Sequence, residues 1–175
     1  FSLPYDQPNT TGTCGQCTRC LTACPTDALI EPFVLDSNRC ISYFTIELRG
    51  EIPLDLRPQM KNRIFGCDIC QEVCPYNKRF AIPADQPAFH ASLDHMAPPL
   101  LDLIALDDEG FRKRFKGSPI KRAKRRGFLR NVCVALGNWG HKKAVPALQT
   151  ALQDPEPLIR SHAAWALDQI SLSES

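Results

Sequence analysis

Eight cysteines between Cys14 and Cys74 constrain this chain more than any other feature, because they fall into tight groups, CGQCTRCLTACP and GCDICQEVCP, with one outlier in NRCISYF. Neighbours two or three residues apart suit metal ligation better than a disulfide framework. The first group is a complete C-x2-C-x2-C-x3-C-P, formed by Cys14, Cys17, Cys20, Cys24 and Pro25. That pattern wraps one 4Fe-4S cluster with its close triplet, and its fourth cysteine ligates the second cluster. The second group, Cys67, Cys70 and Cys74 before Pro75, lacks its first cysteine, since residue 64 is isoleucine. Cys40 is the remaining cysteine of the region. The thiolate count then closes on two clusters: Cys14, Cys17, Cys20 and Cys74 for cluster 1, and Cys24, Cys40, Cys67 and Cys70 for cluster 2. Zinc also takes four thiolates, but three cysteines in C-x2-C-x2-C followed by C-P fit one small ion poorly. Cys133, inside the apolar run VCVAL, reads as a small core residue.

The chain has 175 residues, 43% of them apolar, enough for one ordinary domain or two small ones. No run approaches the roughly 20 apolar residues of a membrane span, so no membrane association is expected. A reducing cytoplasm is the expected compartment, and a monomer the expected state. The sequence predicts an α+β chain in three parts: a dicluster ferredoxin-like module over residues 1–80, a proline-bearing connecting arm over 81–99, and an all-α region over 100–175. In the last part LLDLIAL, RRGFLRNVCVALGNWG, AVPALQTALQD and PLIRSHAAWALDQI carry helical periodicity. LRNVCVA and IRSHAAW are loosely self-similar, as in HEAT-type helical hairpins. Two such repeats are too few to stand alone, so they must pack on something.

The net charge of +2 hides a local run. From Arg112 to Arg130 ten cations follow one another with no acid between them. Lys121, Arg122, Lys124, Arg125, Arg126 and Arg130 are the candidate contacts to RNA phosphates. Phe111, Phe115 and Phe128, interleaved with them, read as core residues. His90, His95, His141 and His162 have no ligand spacing to one another and read as loop or surface residues.

CGQCTRCLTACPTDAL, RCISYFTIELRGEIP, GCDICQEVCPYNK and SPIKRAKRRGFLRNVCVALGN together resemble the epoxyqueuosine reductase family, in its C-terminal half. The resemblance implies two 4Fe-4S clusters that feed electrons to cobalamin, which removes the epoxide oxygen of epoxyqueuosine in a tRNA anticodon loop. It also implies a tRNA partner, an electron donor, and a corrin lying against Ser42, Cys67 and Asp68. The family's catalytic acid precedes the first cysteine motif, so no catalytic residue is expected in this chain, which reads as a fragment. The family's pattern leads to a larger aromatic at Tyr76. Two other functions compete: a related cobalamin and iron–sulfur reductase such as a reductive dehalogenase, and a non-enzymatic dicluster electron carrier or a tRNA-binding module working in trans.

Overall fold

A computed structural model describes residues 3–7, 14–87 and 96–172. His90, His95 and part of the expected connecting arm lie outside the described residues. The cysteine-rich part is built from short elements, because its sequence is punctuated by Gly and Pro and has no long periodic run. Helix α1 (Arg19–Ala23) ends at the extended residue Cys24. A two-stranded antiparallel hairpin, β1 (Leu29–Glu31) and β2 (Val34–Leu35), follows. Asp36 accepts a hydrogen bond from the Asn38 N–H and starts a 3-10 turn that delivers Cys40. A π-helical turn, Tyr43–Glu47, comes next. The short helices α2 (Ile69–Glu72) and α3 (Pro75–Phe80) follow, the second starting where Pro75 needs no N–H donor.

The second part is helical. It comprises α4 (Leu100–Ile104), α5 (Asp108–Arg114), α6 (Lys124–Trp139), α7 (Val145–Ala151) and α8 (Pro157–Leu172). The self-similar segments lie on α6 and α8, which pack against each other. Their approach is close at Gly137, where a Cβ would sit 2.8 Å from the Ala166 Cα and from the Trp165 ring. Phe111, Phe115 and Phe128 are buried, as expected, with ring centroids 5.0–5.7 Å apart. Cys133 is fully buried in the same core.

Helix α6 reads in sequence as an ordinary amphipathic helix, but every residue from Gly127 to Gly137 is buried. The reason is that α6 is covered on two sides. The other helices cover one side, while Val134 joins Ile41, Phe44, Ile52, Leu56 and Met60 of the cysteine-rich part in a separate apolar cluster. These residues are what the repeat pair packs on.

Polar side chains of α6 bind that same part. Asn131 Nδ2 donates to the carbonyls of Thr45 (2.9 Å) and Ile64 (3.0 Å), and Asn138 Nδ2 to those of Arg57 and Lys61, both at 2.8 Å. Arg130, 1% exposed, donates to the carbonyls of Leu48 (2.9 Å), Gly50 (2.7 Å) and Phe44, and to Asn131 Oδ1. His162 departs from its expected loop or surface setting. It is 0% exposed, and its Nε2 accepts the Ile52 N–H at 3.3 Å while Nδ1 lies 2.8 Å from the Leu158 carbonyl. The two partners define a neutral tautomer with the proton on Nδ1. His141 is exposed as expected, stacked on Trp139 and accepting the Lys143 N–H.

Removing the Arg130 guanidinium leaves the buried Phe44 carbonyl without this donor, at about 1–3 kcal/mol, while the carbonyls of Leu48 and Gly50 lie nearer solvent. Arg130→Met is therefore expected to lower unfolding stability by about 1–3 kcal/mol in urea titrations, where Lys121→Met changes it by less than about 0.5 kcal/mol. Burial, with Arg57 and Arg130 nearby, pushes the His162 imidazole down to about 3, whereas an unfolded histidine titrates near about 6.5. The unfolded chain binds that proton first, so this contribution is complete above about pH 6.5 and declines toward about pH 3. His162→Gln should shrink the Tm difference between about pH 7 and about pH 5 relative to the parent chain.

Candidate metal centre and nucleic-acid surface

Four thiols from three separate segments of the chain line one cavity of about 230 Å³: Cys24, Cys40, Cys67 and Cys70. Each arrives on a different local device. Cys24 ends α1 before Pro25, and its Sγ accepts the Ala28 N–H at 3.2 Å. Burial pushes the Cys24 thiol up, but hydrogen bonds from Thr26 and Ala28 outweigh it and hold the group below the usual thiol range. Cys40 ends the 3-10 turn that Asp36 caps. Cys67 is bracketed by Ser42, whose Oγ accepts its N–H at 2.9 Å and donates to its carbonyl at 3.2 Å. Cys70 lies on α2, where burial and the neighbouring Cys67 and Cys40 thiols hold it above the usual range.

The position that ferredoxin spacing assigns to a ligand has another use here. Ile64 packs against the helical core and its carbonyl accepts Asn131. Gly66, between it and Cys67, donates to Thr45 Oγ1 at 2.9 Å. For Cys14, Cys17, Cys20 and Cys74 the fold supplies a turn and a helix contact. The Cys17 N–H donates to the Cys14 carbonyl at 3.1 Å, and α1, carrying Cys20, packs on α2, which runs straight into Cys74. Four thiols lining one cavity suit the all-thiolate ligation of an iron–sulfur cluster.

Ser42, Cys67 and Asp68 all line this cavity. The Asp68 carboxylate is exposed and accepts Gln71 Nε2 at 2.9 Å, and the Ser42 hydroxyl is engaged with the Cys67 backbone.

The cation run divides by burial. Lys121, Arg122 and Lys124 are exposed and Arg126 is half-buried. Arg125 is a structural residue, its Nη2 2.5 Å from Asp154 Oδ2 with the side chain 14% exposed, and its Nε donating to the Leu106 carbonyl. Burial pushes the Asp154 carboxyl up, but hydrogen bonds from Arg125 and the Glu156 N–H, together with the Arg125 and Arg160 charges, outweigh it and keep the group below the usual carboxylate range. Arg130 is corrected outright: a guanidinium 1% exposed and caged by backbone carbonyls does not reach an RNA phosphate. The run is also not acid-free in space, since Glu47 Oε1 lies 2.5 Å from Arg122 Nε. A further exposed cation, Arg49, reaches the same surface from the cysteine-rich part through its bond to the Arg122 carbonyl. It stands alone in sequence, so the density of cations gave no signal for it.

Residues 13–77 match the family of 4Fe-4S double cluster binding domains, and residues 122–175 match HEAT repeats. An epoxyqueuosine reductase of Xanthomonas campestris is 47% identical over 171 residues, covering 97% of this chain and 48% of that protein. The structure of epoxyqueuosine reductase from Bacillus subtilis superposes with a TM-score of 0.88 at 36% identity, over 96% of this chain and 45% of that one. A crystal structure of epoxyqueuosine reductase with an epoxyqueuosine-modified tRNA-Tyr stem loop gives a TM-score of 0.84 at 36% identity, over 90% of this chain and 42% of that one. The chain thus spans about half the length of the relatives it matches.

The cavity makes Cys40 testable. Cys40→Ala is expected to lose the iron of one cluster while the other, on untouched cysteines, persists; Cys133→Ala, whose thiol burial pushes up to about 12, should leave iron content alone. Parent-level iron in Cys40→Ala would remove it from the ligand set.

Proposed function

We propose that this chain, homologous over nearly all its length to part of the epoxyqueuosine reductases, is the iron–sulfur and RNA-holding portion of an oxidoreductase that reduces epoxyqueuosine to queuosine in a tRNA anticodon loop. The single observation carrying this reading is the cavity that gathers Cys24, Cys40, Cys67 and Cys70, because three of these come from the two grouped motifs and the fourth from the outlier. In this reading Cys14, Cys17, Cys20 and Cys74 hold one 4Fe-4S cluster and the cavity four hold the other. The cluster-bearing module runs over residues 1–80, and the helical region follows the arm from residue 100. Held by these two sets of cysteines, the clusters would supply one-electron redox chemistry, and a cobalamin against Ser42, Cys67 and Asp68 would supply the reducing chemistry for the epoxide.

The chain's own residues position and hold. Ser42 fixes the Cys67 backbone. Asp68, oriented by Gln71, offers an exposed carboxylate on the wall proposed to face the corrin. Lys121, Arg122, Lys124 and Arg126 are the proposed phosphate contacts, which position the RNA without reading its sequence. Arg125 and Arg130 support that surface from within.

A chimera in which this chain replaces the matching half of the Xanthomonas campestris relative tests the reading. It should convert epoxyqueuosine to queuosine in tRNA, read by mass spectrometry of the digested RNA, and the same chimera with Cys67→Ala should not. A chimera that folds, loads iron for two clusters and binds tRNA, yet forms no queuosine, would count against the assignment.

A further inference from the structure

The surface around Arg122 is assembled from both parts of the chain. Arg49 follows the Tyr43–Glu47 turn, and its Nη1 donates to the Arg122 carbonyl at 2.8 Å. In return Arg126 Nη2 donates to the Arg49 carbonyl at 2.5 Å. The 3-10 turn Pro119–Ala123, which carries Lys121 and Arg122, packs on the Tyr43–Glu47 turn, so these cations meet along the seam between the two parts. A carboxylate stands among them, Glu47, paired with Arg122 although both side chains are open to solvent, at 38% and 65% exposure.

We propose that Arg49 is a phosphate-contacting residue of the RNA surface, and that Glu47 occupies Arg122 until an RNA phosphate displaces it. This rests on the RNA-binding reading above and extends it across the seam. A guanidinium has five donors in a rigid fork. Arg49 spends one on a carbonyl, which fixes its orientation, and its exposed side chain presents other donors to solvent. An exposed Arg–carboxylate pair is weak and exchangeable, whereas Arg and phosphate can form charge-assisted, bidentate bonds. The two residues therefore have opposite signs of effect, and a merely structural role for this corner does not predict that.

The test measures the affinity of the iron-loaded chain for a synthetic RNA hairpin with a single-stranded loop across a salt series, with circular dichroism melts as a check of folding. Arg49→Gln should weaken binding and reduce the slope of log affinity against log salt by about 0.7 to 0.9. Glu47→Gln should bind more tightly than the parent chain at low salt. The Lys121→Gln, Lys124→Gln double variant probes the underlying reading by itself: parent-level affinity and slope there would mean this is not an RNA surface. If the double variant weakens binding while Arg49→Gln keeps the parent slope, Arg49 is not a contact. If Glu47→Gln gains nothing, the displacement is wrong. Should Arg49→Gln lose its melting transition, Arg49→Lys, which keeps the charge and loses the fork, is read instead; it should bind more weakly, and parent-level affinity would overturn the contact.

Discussion

A guanidinium held in the interior by backbone carbonyls ties the two parts of this chain together. Arg130 leaves helix α6 and reaches the carbonyls of Phe44, Leu48 and Gly50, all on the segment that leads away from Cys40. Burying a cation is unfavourable unless its donors are satisfied. Here burial lowers the Arg130 pKa to about 10, which leaves it charged at neutral pH. A caged cation of this kind is satisfied in one geometry, because three carbonyls must converge on one planar fork. The arrangement thus specifies how the helical part sits on the cysteine-rich part, while the apolar contact of Val134 with Phe44 and its neighbours adds hydrophobic burial along the same seam.

That specification extends to the thiols. Asn131, next to Arg130, holds the carbonyls of Thr45 and Ile64; Thr45 Oγ1 accepts the Gly66 N–H; Ser42 brackets Cys67. A continuous series of hydrogen bonds therefore runs from the central helix to the loop that carries Cys67, and it fixes that loop relative to Cys40. Short elements with few backbone hydrogen bonds of their own gain order from such side-chain bonds. The helical repeats act as a scaffold for the cysteine cavity as well as a carrier of surface charge.

Surface charge shows the same dependence on context. Of the cations in the run, Arg125 is drawn into an ion pair with Asp154 and Arg130 into the seam, while Arg122 meets Glu47 from the other part of the chain. Local density of Lys and Arg marks a basic region, but which of them face solvent is a matter of packing. Arg49, isolated in sequence, becomes a neighbour of Arg122 only when the parts come together.

The cysteine spacing, the vacancy at Ile64 and the position of Cys40 were enough to divide eight thiols into two sets, and the structure brings one of those sets to a single cavity. Periodicity located the long helices, and the apolar character of Phe111, Phe115, Phe128 and Cys133 placed them in the core. These are local properties: ligand spacing and helical repeat are written in neighbouring residues. The burial of His162 and Arg130, the double coverage of α6 and the meeting of Glu47 and Arg49 with the cation run were decided by tertiary structure. A polar side chain has the same composition whether it faces water or a set of carbonyls more than eighty residues away in the chain, as Arg130 meets at Phe44. Only the packing of the two parts determines which it meets, because satisfying a buried donor requires partners that the fold alone brings within hydrogen-bond reach.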